Sequence, residues 1–219
     1  MTTILLIRHG ENDTVGKILT GRLPGVHLND QGKEQAIRLV EILENTPVAA
    51  IYSSPLERAI ETAQPLAEAK KLEITILKDL LEIDFGDWQG KTMENLRRKK
   101  LWHAVKNTPS IVQFPHGERY VDAQKRLVNC LKSLIGKHAK DDVVVCFCHA
   151  DSIRLAMAYY LDVPLDSFQR ILIDTASISV IVKDGDLIRV PHLNLTNPIK
   201  AAQRLSRFQS KKKNQKDSV

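Results

Sequence analysis

Two hydrophobic periods divide the chain. Ile4-Leu5-Leu6-Ile7 is a run of four apolar residues bounded by polar ones, the signature of a short strand buried on both faces. Similar runs at 48–52, 74–77 and 143–148 predict further strands, and the last, as the most hydrophobic, is placed at the centre of the sheet. Between them apolar residues recur at helical spacing: Ala36, Leu39, Val40 and Leu43 behind an Asp30 N-cap, then Ala59, Ala63, Leu66 and Ala67. Ser54 as N-cap and Pro55 at the first helical position mark the start of that second helix. Residues 118–138 predict a long amphipathic helix carrying Leu127, Val128, Leu131, Leu134 and Ile135, and Ile153, Ala156, Met157, Tyr160 and Leu161 predict another. Ile178, Val180 and Val182 alternate as a strand. Asp184-Gly185 turns it into a last strand at 187–190, with Pro191 suited to a sheet edge.

Strands alternating with helices predict an α/β fold, a three-layer α/β/α sandwich around a mostly parallel central sheet. In such sheets ligands bind beyond the carboxyl ends of the strands. The first strand ends there in Arg8-His9-Gly10-Glu11, a cation and an imidazole followed by a glycine that lets backbone approach a ligand. The 143–148 strand delivers His149 in the same way. In the loop after His9, Thr20, Gly21 and Arg22 are candidate substrate contacts. Arg58 lies in the first turn of its helix, where the dipole disfavours a cation, so its placement asks for an anionic partner. Residues 81–90 form an acidic loop holding Glu82, Asp84 and Asp87 among Ile83, Phe85 and Trp88; a carboxylate desolvated there would favour its protonated form. Residues 91–117, with a basic run at 97–100 read as a solvated helix face, predict a short polar lid over the strand ends that selects the substrate and admits water.

Composition narrows the partners. Of the formal net charge of +6, all falls in residues 200–219, where seven basic residues face Asp217 alone; residues 1–199 are neutral. The folded part therefore makes no electrostatic case for nucleic acid, and the tail reads as disordered or as a loosely docked helix. Cys130, Cys146 and Cys148 form no even framework and suit small core hydrophobes in a reducing compartment. The first apolar run is too short for a signal peptide, and no stretch reaches transmembrane length. A soluble cytoplasmic protein with no membrane partner is expected, and a homodimer is left open.

Arg8-His9-Gly10-Glu11, Ser54-Pro55-Leu56 leading to Arg58-Ala59 and Thr62-Ala63, Glu82 ahead of Phe85-Gly86 and Trp88-Gln89-Gly90, and finally His149 resemble, in that order, the motifs of the histidine phosphatase superfamily. This is the phosphoglycerate-mutase-like group. The resemblance implies a histidine phosphatase domain over residues 1–199, with 91–117 as lid or insertion and 200–219 as a basic tail. It implies a phosphatase acting on a small-molecule phosphomonoester through a phosphohistidine, without metal or other cofactor. His9 would be the nucleophile, Arg8, Arg58 and His149 would bind phosphoryl oxygens, and Glu82 would protonate the leaving group, with Asp84 and Asp87 as rival carboxylates. Val15 stands where relatives often have an asparagine, so that phosphate contact is missing or supplied elsewhere, with Asn12 as the candidate; Ala150-Asp151 replaces the glycines, and the Ala150 N–H would still point at phosphate.

The chemistry suits those roles. A phosphoryl group in transit spreads charge over its equatorial oxygens, which forked guanidiniums match. One cation about 5 Å away, at an effective dielectric near 20, lowers an imidazole pKa by up to ~2 units and keeps a nucleophilic histidine neutral. The same arginines favour the ionised form of Glu82, so an arriving dianion is expected to help protonate its own acid. Three rivals use the same residues. A phosphoglycerate-mutase-type transferase is one, disfavoured by the Phe85-Gly86-Asp87-Trp88-Gln89-Gly90 stretch and the modest insertion. A metal hydrolase on His9, Glu11 and His149 is the second, which two arginines would oppose. A non-catalytic phospho-ligand binder is the third.

Overall fold

A computed structural model describes residues 1–196. The expected tail lies outside the described residues. Strands β1 (Thr2–Arg8), β2 (Val48–Ser53), β3 (Ile74–Ile76), β4 (Val143–Cys148), β5 (Ile178–Asp184) and β6 (Leu187–Leu195) form one sheet in the order β3-β2-β4-β1-β5-β6. The first four strands in that order are mutually parallel, and the β5–β6 hairpin joins β1 antiparallel, so the sheet is mostly parallel and β4 is interior.

Both faces of the sheet are covered, which is why its strands read as continuous apolar runs. Leu5, Ile7, Val145 and Phe147 point to one side, against α1 (Asp30–Ile42) and α2 (Glu57–Lys70). Ile4, Leu6, Val144, Cys146 and Cys148 point to the other, against α5 (Tyr120–Lys137) and α6 (Ala150–Tyr160), so the two strand cysteines share a core face. All three cysteines are buried and free. No helix among the described residues is long and apolar enough to cross a membrane.

Several boundaries move, each for a local reason. Asn29, not Asp30, caps α1, its side chain accepting from the Gly32 N–H at 2.9 Å. Helix α2 starts at Glu57 rather than Pro55. The Ser54 N–H still extends the sheet towards the Phe147 carbonyl, and its hydroxyl pairs with His149 and accepts only the Leu56 N–H, at 3.4 Å, ahead of the helix. Strand β6 runs five residues beyond 190, and Pro191 sits in it on the sheet edge, where a missing N–H costs no ladder bond.

The 91–117 segment departs from the expected polar lid. It forms α3 (Met93–Arg97) and α4 (Lys100–Asn107), and the 97–100 basic run is exposed as expected. Leu96, Val105, Val112 and Phe114, however, are buried in the main core, and Trp102 stacks on Trp88 at 6.3 Å. Apolar anchors fix this segment to the domain.

Candidate active site

Because β1 and β4 are adjacent and parallel, their carboxyl ends open into one crevice. The His9 N–H bonds the Cys148 carbonyl at 2.9 Å, and the rings of His9 and His149 lie 5.3 Å apart. A cavity of about 400 Å³ at this point is bordered by Arg8, His9, Asn12, Thr20, Gly21, Arg58, Glu82 and Ala150. His149 is fully buried and does not border it; its ring is tilted at 57° to that of His9.

The His9 ring is held in one tautomer. Nδ1 lies 2.7 Å from the Gly10 carbonyl, which can only accept, so Nδ1 carries the proton and Nε2 keeps its lone pair. Burial, then Arg58, then Arg8 push its pKa down to about 3, so the imidazole is neutral across the working range of pH. Gly10 permits this turn: a Cβ there would press on the backbone of Gly32, and its N–H bonds the Thr62 hydroxyl, which donates to the Arg58 carbonyl.

The guanidiniums keep donors in reserve. Arg58 is 1% exposed, so its charge needs a partner beyond water. It donates once, from Nη2 to the Gly21 carbonyl at 2.7 Å, while Nε and Nη1 are buried without a hydrogen-bond partner among the described residues. Arg8 donates from Nη1 to the Ile173 carbonyl at 2.8 Å and leaves Nε unpaired. Buried His149 holds Nε2 against the Ser54 hydroxyl at 2.8 Å with Nδ1 unpaired, and burial, followed by Arg58, depresses its pKa well below the usual imidazole value. Buried unpaired donors on cationic groups, gathered round a cavity, define a receptor for an anion.

Glu82 sits across the cavity at the start of α6. Its Oε1 accepts the Ile83 N–H at 3.0 Å and the Ser152 N–H at 3.1 Å, and the Ser152 hydroxyl lies 3.1 Å from it and 3.0 Å from the Leu81 carbonyl. Oε2 accepts only the longer contact from the Asp151 N–H at 3.3 Å, and is the oxygen with room for a proton. Two effects oppose each other, and burial prevails. Desolvation, then the Asp151 charge, raise the Glu82 pKa, while hydrogen bonds and Arg58 lower it less. Burial thus adds to the effect of an arriving dianion, both favouring the protonated acid. Neither rival carboxylate borders the cavity: Asp84 accepts from the Gly86 N–H at 2.9 Å, and Asp87 pairs with His116 at 3.1 Å near the surface.

Three residues change standing. Arg22 does not border the cavity; its guanidinium ties the Glu82 carbonyl at 2.8 Å and the Glu118 carboxylate at 2.8 Å, fastening the acid's loop. Asn12 reaches the cavity with its Oδ1 occupied by the Thr14 hydroxyl at 2.6 Å. Arg154 also borders the cavity and pairs with Asp151 at 2.7 Å. Sequence reading overlooked it, although its i, i+3 spacing from Asp151 was the available signal.

Comparison with known proteins agrees with this geometry. The model of the histidine phosphatase superfamily (branch 1) matches residues 4–196. Phosphoserine phosphatase 1 of Hydrogenobacter thermophilus is 32% identical over 201 residues, covering 90% of this chain and 93% of that protein. The 2,3-bisphosphoglycerate-dependent phosphoglycerate mutase of Thermoplasma acidophilum is 27% identical over 202 residues, covering 91% and 97%. Among solved structures, YhfR of Bacillus stearothermophilus superposes with a TM-score of 0.85 at 30% identity, covering 91% of this chain and all of that one. With its motifs gathered at the ends of β1 and β4 and a family match over nearly its whole described length, the chain belongs to the histidine phosphatase superfamily.

Proposed function

We propose that the protein is a phosphatase that hydrolyses a small-molecule phosphomonoester through a phosphohistidine on His9, in the cytoplasm and without a metal or other cofactor. The observation that carries this reading is the His9 tautomer, a lone pair on Nε2 beside guanidiniums with unpaired buried donors. In the first step Nε2 bonds to phosphorus and the phosphorus–oxygen bond to the leaving group breaks. The electron pair goes to that oxygen, and Glu82 supplies its proton. Arg8, Arg58 and the Ala150 N–H hold the phosphoryl oxygens while charge shifts, and His149, packed against the His9 ring, would reach them only through its unpaired Nδ1. In the second step the oxygen of a water bonds to phosphorus and its proton returns to Glu82, while the Nε2–phosphorus bond breaks with its electron pair going back to Nε2, and inorganic phosphate leaves.

The mutase reading needs a second anion site for a bisphosphorylated intermediate. Beyond the phosphoryl position the cavity is bordered by Leu19, Phe85 and Met93 and by the Asp151 carboxylate, and Arg154 is already paired with that carboxylate. This lining favours hydrolysis. A panel of phosphorylated metabolites assayed for phosphate release is the test. His9→Ala should abolish turnover, EDTA should leave it intact, and acid-labile, base-stable label should be trapped on the wild-type protein. Label on a serine or aspartate would overturn the mechanism. Exchange of 3- and 2-phosphoglycerate outrunning phosphate release would replace phosphatase by mutase.

A further inference from the structure

A second cavity of about 200 Å³ adjoins the phosphoryl site. Leu19, Phe85, Met93, Asp151 and Arg154 border both, so the two chambers meet across these side chains. The far walls are aromatic and apolar. Trp88, Val105, Phe114 and Tyr120 are each at most 5% exposed. Trp102 closes the chamber nearly parallel to Trp88, at 21° and 6.3 Å, while Phe114 meets Trp88 edge-on at 5.4 Å. Among the polar groups of this lining, Arg154 holds Asp151 and the Ile171 carbonyl, the Gln169 amide donates to the Val105 carbonyl at 2.9 Å, and Lys106 stands at the border.

Resting on the phosphatase reading above, we infer that this chamber receives the leaving group, and that the preferred substrates are phosphomonoesters of alcohols bearing an apolar, ring-sized body. An apolar protein cavity of about 150 Å³ accommodates benzene, so the size is adequate for one ring. The rings of the walls offer it stacked and edge-on contacts. Residues of the 91–117 segment supply much of the chamber, in Met93, Trp102, Val105 and Phe114. Substrate choice would thus rest on that segment's apolar anchors rather than its basic run.

The test compares 3-phenylpropyl phosphate with propyl phosphate, two primary-alcohol esters of closely matched leaving-group basicity, using the full chain and phosphate release. The ratio of their kcat/KM values, which is insensitive to the fraction of folded protein, is expected to be at least tenfold in favour of the phenyl ester. Val105→Trp, which fills the chamber, and Trp102→Ala, which removes a wall, should each lower that ratio severalfold. A wild-type ratio near one, with phosphate still released from propyl phosphate or phosphoserine, would overturn this inference and leave the phosphatase reading standing. A high ratio unchanged in both variants would overturn it as well. If no ester in the set releases phosphate, the phosphatase reading falls and the inference falls with it.

Discussion

The Nδ1 proton of His9 is committed to the Gly10 carbonyl, and the acidic proton of the site belongs to Glu82; single residues therefore set the pH behaviour. An acid works only while protonated, so the kcat/KM of an alkyl ester should fall as pH rises through the elevated pKa of Glu82. Glu82→Gln is expected to lower that rate by roughly 10²–10⁴ and to remove the falling limb. Its effect on an aryl ester, whose leaving oxygen needs little protonation, should be much smaller. Parallel pH–rate profiles for the two ester classes check this. Stability responds in the opposite sense. Folded His9 takes up a proton only near pH 3, whereas an unfolded histidine does so near 6.5. The stability this burial permits is whole above about pH 6.5 and is lost as pH falls towards 3, at about 1.4 kcal/mol per pH unit. Between pH 7 and 5, urea unfolding of the wild type should lose about 2 kcal/mol more than that of His9→Gln. Equal losses would mean that His9 is already protonated in the folded protein.

Among the elements, the loops at 84–88 and 114–118 are pressed together and carry the acid. The Asp87 N–H bonds the Pro115 carbonyl at 2.9 Å, and the Glu118 N–H bonds the Asp84 carbonyl at 2.8 Å. Glu118 also draws in Arg22 and Arg126, which tie this pair of loops to the Glu82 and Leu81 carbonyls. Gly86 lies at the junction with φ +51°, and a Cβ there would run into the Pro115 carbonyl oxygen. Left-handed strain and this backbone clash cannot be relieved by rotating a side chain. Gly86→Ala should therefore destabilise the fold by at least about 2 kcal/mol. Because Phe85 and Glu82 share the loop, kcat/KM should drop as well. Denaturant melts and phosphate-release assays on one preparation test both effects; unaltered stability would show that the loops separate at no cost.

For the whole molecule the distribution of charge decides the question. Residues 1–199 are neutral, and the excess lies in 200–219, beyond the described residues. Removal of residues 201–219 should lower the isoelectric point yet leave kcat/KM for a small ester within a few-fold. A 100-fold fall, about 2.7 kcal/mol of transition-state stabilisation, would instead assign the tail a part in the site.

Hydrophobic periodicity alone determined the order of strands and helices, the central place of β4 and the arrival of His9 and His149 at strand ends, because burial on one or two faces is written locally along each element. It also placed Arg58 in the first turn of a helix, where a buried cation calls for an anion. Tertiary structure decided the rest. Ser54 stands outside the helix and pairs with His149, 95 residues away in sequence, because β2 and β4 are neighbours in the sheet. Arg22 became a strut and Arg154 a cavity residue because loops and helices distant in sequence converge on them. The Glu82 pKa is raised because desolvation outweighs the arginines. The aromatic chamber needed Trp88, Trp102 and Phe114 from separate stretches. Which strands lie side by side, how deeply each polar group is buried and which partners it bonds are properties of the assembled layers, and no local period along the chain encodes them.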